Sequence, residues 1–162
     1  MSTTETTTTP LTARMDHPVF LVPGAMDAAQ ALSKAISRID LGFDLEYVLL
    51  RASQINGCGV CVDMHAKALR GRGESEERVW AVAAWRESPY FTDAERAALD
   101  LTEALTRIAD APEGVSDEVW ATARAQFDDA QLSALILDIG VINLWNRTNV
   151  ATRQIVGALP SS

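Results

Sequence analysis

The stretch LSALILDIGVINLW, Leu132 to Trp145, constrains this chain most. It follows Asp128-Asp129-Ala130-Gln131, a capping-box signature that opens a helix. A helix apolar nearly all round must be covered on most sides, by a core or by another subunit. No stretch of the chain alternates with period two and is rich in β-branched residues, so no sheet is available to cover it. The covering layers are helical, and the chain is expected to be all-α.

The other segments read the same way, with about seven helices in one domain. Pro23-Gly24 opens a first helix over residues 25–39, with Ala28, Leu32, Ala35, Ile36 and Ile39 on one stripe. Asp44 caps a second that ends at Asn56-Gly57. A third runs from Cys58 to about Leu69, and Ser75 starts a fourth with Val79, Val82, Ala83 and Trp80 inward. Thr92-Asp93-Ala94-Glu95 is a capping box for a fifth, and Ser116 starts a sixth. Residues 1–20, polar and Thr-rich at the start, are expected to form a disordered or extended leader, and residues 21–160 the helical domain.

At 162 residues the chain is long enough for one domain with a real core. A net charge of −8 argues against nucleic acid and against an anionic membrane surface. No apolar run reaches the length of about 18 residues that a span requires, and the N-terminus lacks the pattern of a secretory signal. A cytoplasmic protein is expected.

Both cysteines, Cys58 and Cys61, form a Cys-x-x-Cys pair, with His65 four residues further on and Glu46 twelve residues before. On one helix, Cys58, Cys61 and His65 share a face. Cys58 falls in the first turn, where unpaired N–H groups and the helix dipole favour a thiolate. His65 can relay a proton for Cys61. Glu46, on the preceding helix with Leu50 and Ser53, can fold onto this face and tune the imidazole. A thiolate, a second thiol and a general acid suffice to reduce a peroxide.

Other readings exist for the same residues. Two buried cysteines pack as small apolar groups. Cys58, Cys61 and His65 could be three ligands of zinc, with His17 or a carboxylate as the fourth, but no metal or other cofactor is expected. Glu46 could be an ion-pair partner, for example of Arg51, and His17 reads as a loop residue. Trp80, Trp85, Trp120 and Trp145 read as core or interface anchors. Asn143, Asn146, Arg147 and Arg153 read as a structural hydrogen-bond network in preference to substrate contacts.

Glu46, eleven residues, Cys58-x-x-Cys61, three residues, His65 resembles the active-site signature of the alkylhydroperoxidase D-like proteins of the carboxymuconolactone decarboxylase superfamily. The lead-in PGAMDAAQALSKAI, the approach RASQINGC and the C-terminal LWNRTNVATRQ resemble the same family, from about Val22 to Ile155. The resemblance implies an all-α fold, trimers or hexamers, and thiol-dependent reduction of hydrogen peroxide or organic hydroperoxides. It implies Cys61 as the peroxidatic cysteine, Cys58 as the partner that donates a proton and closes the disulfide, and Glu46 with His65 as the relay. It also implies an external dithiol reductant, lipoyl-bearing or thioredoxin-like. Val60 stands where well-studied peroxidases of the family carry a histidine between the cysteines. Lactone decarboxylation, which needs no thiols, and a non-enzymatic redox-sensing module are the alternatives.

Overall fold

The computed structural model describes residues 10–158. Among them are eight α-helices and no strand. They are α1 (Pro18–Leu21), α2 (Ala25–Ile36), α3 (Glu46–Asn56), α4 (Gly59–Gly71), α5 (Glu76–Ala81), α6 (Asp93–Thr106), α7 (Asp117–Gln126) and α8 (Asp129–Thr152). Short 3₁₀ segments follow α5 and α6, at Val82–Glu87 and Ile108–Asp110.

The helix starts follow local chemistry. The Thr92 and Asp128 capping boxes both close, each with its side chain accepting the third N–H and the Glu95 or Gln131 side chain returning to the cap. Ser75 and Ser116 cap α5 and α7. The Asp44 carboxylate accepts the Glu46 N–H at 3.1 Å and so begins α3.

The helix beyond the expected seven is α1. Pro18 stands in its first turn, where a missing N–H costs nothing, and the His17 ring accepts the Val19 N–H at 3.2 Å. The expected domain boundary at residue 21 thus falls at the end of this helix. Residues 1–9 of the expected leader and the stretch 159–162 lie outside the described residues. Arg14 N–H donates to Thr152 O at 2.8 Å and Gln154 Nε2 to Met15 O at 2.9 Å, so the two ends meet beside α8.

α3 is the central helix and packs against α4, α6 and α8. Its Tyr47, Val48, Leu50, Ala52 and Ser53 are buried. Val48 joins a core with Leu101, Leu135 and Ile139 of α6 and α8. Tyr47 and Leu50 join another with Leu69, Trp85 and Leu99. Arg51 pairs with Glu103 at 2.7 Å, and the Trp85 indole donates to the same carboxylate at 2.9 Å. Arg51 is therefore engaged away from Glu46.

Two expected inward positions point outward. Trp80 is 68% exposed, and Ala83 is exposed too. The backbone breaks at Ala84, with φ −129° and ψ 40°, so the helical register does not continue, and Trp85 is buried instead.

Along α8, Asn146 Nδ2 donates to Ser53 Oγ at 3.0 Å, and Asn56 Nδ2 donates to Asn146 at 2.8 Å and Asn143 at 3.0 Å. Arg147 bonds Asn143 in turn. This buried amide network fixes how α3 and α8 cross. Arg153 stands apart, closing α8 in a left-handed conformation.

Candidate active site

The corner between α3 and α4 builds the site. Gly57 takes φ +67°, a left-handed conformation that costs a glycine little. Its N–H and that of Cys58 return to Gln54 O and Ser53 O, which ends α3 and turns the chain straight into α4. Cys58 then occupies the cap of α4, and its sulfur accepts the Cys61 N–H at 3.4 Å.

The four residues singled out from sequence come together. Cys58 Sγ and Cys61 Sγ are 2.6 Å apart, both as free cysteines and both buried. His65 Nδ1 is 2.6 Å from Glu46 Oε2. The other Glu46 oxygen accepts from Arg72 at 3.1 Å, and Arg72 also holds Asp44 at 2.5 Å. Glu46 is thus a member of a buried pair and a surface ion cluster at once.

The two thiols differ electrostatically. The hydrogen bond from Cys61 lowers Cys58 to about 6 against the penalty of burial, helped by the Cys61 N–H, Asn146 and the charge of His65. Cys61 is pushed up by donating to Cys58 and by burial. A once-ionised pair therefore rests with its charge on Cys58. Asn149 Nδ2 donates to Cys61 Sγ at 3.3 Å and provides for the charge when it moves there.

Access differs as well. A cavity of about 1020 Å³ opens between α2, α3, α4 and α8. Cys61, His65 and Glu46 line it, and Cys58 does not. Most of its wall is apolar, including Met26, Leu49, Val60, Met64, Ile142 and Trp145. Val60 thus contributes an apolar patch beside Cys61.

Three further residues of the wall are not among the catalytic candidates of the sequence. His17 lies in the loop ahead of α1, as expected, but is buried: its ring centroid is 5.5 Å from that of Trp145, and burial lowers its pKa. Asn149 touches Cys61 from α8. Asp138 is buried on the same helix and has a free oxygen. Asp138 is the lone charge in the apolar stretch Leu132–Trp145, a signal that marks the residue but not its place in the cavity. Among the described residues no three His, Cys, Asp or Glu side chains converge as a metal-ligand group.

Residues 44–104 match the Carboxymuconolactone decarboxylase family. The chain is 40% identical over 106 residues to the uncharacterized protein YdfG of Bacillus subtilis (strain 168), covering 65% of this chain and 71% of the relative. It superposes with a TM-score of 0.81 and 37% identity on a protein of unknown function from Agrobacterium tumefaciens whose suggested role is antioxidant defence of the AhpD type. That match covers 93% of this chain and all of the other. A shorter match, 43% over 58 residues, is to the alkyl hydroperoxide reductase AhpD of Solibacter usitatus, and spans 36% of this chain and 33% of that protein. The chain belongs to the carboxymuconolactone decarboxylase family, as an AhpD-like member. No helix among the described residues is long and apolar enough to cross a membrane.

Proposed function

We propose that the protein is a thiol peroxidase that reduces hydrogen peroxide or organic hydroperoxides through a Cys58/Cys61 dithiol–disulfide cycle. The observation that carries this is the placement of Cys61. It is the one cysteine on the cavity wall, in contact with Cys58 and on the wall that also holds the His65–Glu46 pair.

The pair ionises once, and the remaining proton passes from Cys61 to Cys58 as substrate arrives. The Cys61 thiolate attacks the terminal peroxide oxygen. An S–O bond forms, the O–O bond breaks, and the alkoxide leaves and takes a proton. Cys58, now a thiol, attacks the sulfenic sulfur. The S–S bond forms, and the departing hydroxide takes the Cys58 proton as water. An external dithiol, lipoyl-bearing or thioredoxin-like, restores both thiols by exchange. Glu46 fixes the tautomer of His65, whose Nε2 on the cavity wall relays protons between the thiol pair and the open cavity. A homotrimer or homohexamer in the cytoplasm is part of the same reading.

Steady-state hydroperoxide consumption with several dithiol reductants tests it. Turnover should occur in the wild type and vanish in Cys61→Ser. Consumption that survives alkylation of both thiols would instead assign the cavity to thiol-independent chemistry such as lactone decarboxylation.

A further inference from the structure

Five buried side-chain polar atoms among the described residues have no hydrogen-bond partner. They are His17 Nε2, His65 Nε2, Arg78 Nε, Asp138 Oδ2 and Asn149 Oδ1. All except Arg78 belong to residues of the one cavity. Unpartnered buried polar atoms destabilise a fold, and their gathering at one place marks where a ligand's polar groups are met.

Asp138 has no part in the mechanism so far. It is 7% exposed, the lone charged side chain between Leu132 and Trp145. It stands on the stripe Asp138, Val141, Ile142, Trp145 and Asn149 that gives α8 its cavity-facing side. Glu46 on α3 and His65 on α4 face it electrostatically. Burial pushes its carboxyl up to about 6, the Glu46 charge adds to this, and His65 opposes it. The other charged groups around the cavity are Arg72 and Asp44, paired with each other, and Arg38 and Asp40. An acid that holds and releases its proton near the operating pH is suited to general acid catalysis.

We propose that Asp138 is a further catalytic residue of the hydroperoxide reaction, a general acid on the α8 wall that protonates the alkoxide expelled when Cys61 attacks. This rests on the thiol-peroxidase reading. In-line displacement sends the leaving oxygen away from the sulfur and from α4, which carries both Cys61 and His65. The proton therefore has to come from another wall, and Asp138 is the buried carboxyl with an unpartnered oxygen there.

The step balances. Cys61 thiolate, ROOH and the Asp138 carboxylic acid give Cys61 sulfenic acid, ROH and the Asp138 carboxylate. The sulfur loses two electrons and the O–O bond gains them. Water recharges Asp138 through the open cavity before the next turnover.

The test compares the effect of each variant on two oxidants whose leaving groups differ in their need for a proton. Reduced protein is mixed in stopped flow with cumene hydroperoxide, whose alkoxide requires a proton, and with peracetic acid, whose acetate does not. Asp138→Asn should slow oxidation by cumene hydroperoxide by about 100-fold or more and oxidation by peracetic acid very little. Asp138→Glu should recover part of the loss. Asp138→Ser, smaller and neutral, should repeat the pattern if the asparagine variant folds poorly. An equal loss with both oxidants, or none with either, overturns the role of Asp138. A wild type that reacts with neither overturns the peroxidase reading itself.

Discussion

His65 Nδ1 sits 2.6 Å from Glu46 Oε2, and this contact leaves His65 Nε2 on the cavity wall with no partner. A histidine whose one nitrogen is fixed by a carboxylate presents the other in a defined tautomer. Glu46→Gln should therefore slow peroxide turnover by about 100- to 10,000-fold, the usual worth of general acid–base assistance. Glutamine is nearly isosteric and its one amide oxygen can still accept from Arg72 or His65, so stability should change by less than about 2 kcal/mol. Turnover against pH and a denaturation midpoint check this. Normal turnover in a folded variant removes Glu46 from the relay.

Thiol reactivity should rise through a midpoint near pH 6, because the hydrogen bond from Cys61 depresses Cys58 to about 6. Below that pH the pair is protonated and unreactive; above it the monoanion persists. Iodoacetamide labelling of reduced protein against pH measures the midpoint. Cys61→Ala removes the donor and should shift labelling of Cys58 to higher pH. An unmoved midpoint would mean that the helix end alone stabilises the thiolate.

Asp138→Asn should stabilise the fold at neutral pH. The Asp138 pKa rises from 3.8 unfolded to about 6 folded. Below about pH 4 both states hold the proton and the carboxyl is neutral to stability. Between pH 4 and 6 only the folded state holds it, so stability falls as pH rises. Above pH 6 the buried carboxylate costs a constant ~3 kcal/mol, which asparagine removes. Denaturation at pH 4 and pH 7 should show a gain at pH 7 that disappears at pH 4. A variant less stable than wild type at pH 7 contradicts the burial assigned to this carboxyl.

The all-α class and most helix boundaries were legible because the caps are local. Thr92, Ser116 and Asp128 announce their helices within four residues. The Glu46, Cys58, Cys61, His65 set was legible because it spans one helix–turn–helix, whose geometry Asn56-Gly57 fixes. Asp138, Asn149 and His17 were not, since they reach the cavity from α8 and from ahead of α1. Their meeting with Cys61 and His65 depends on how helices far apart in sequence cross, which spacing does not encode. Ala83 misled because a 3₁₀ segment after α5 breaks the 3.6-residue period, and Trp80 because, one position past the buried Val79, it falls off the face that Val79 and Val82 bury.

The protein should assemble. Leu137 and Leu144, two turns apart on one face of α8, are each about half exposed. Apolar side chains gathered on a protein's outer face mark an association surface. Sedimentation at micromolar concentration should give a homo-oligomer, and Leu144→Glu should weaken it. A wholly monomeric wild type contradicts this.

The most direct measurement is sulfenic-acid labelling of the two single cysteine variants after one equivalent of hydroperoxide. With Cys61 on the cavity wall and Cys58 behind it, Cys58→Ser should be oxidised once and trap a dimedone-reactive sulfenic acid on Cys61, while Cys61→Ser should neither label nor turn over. Labelling only in Cys61→Ser would reverse the two roles, and full turnover in both variants would show that the dithiol is not the site.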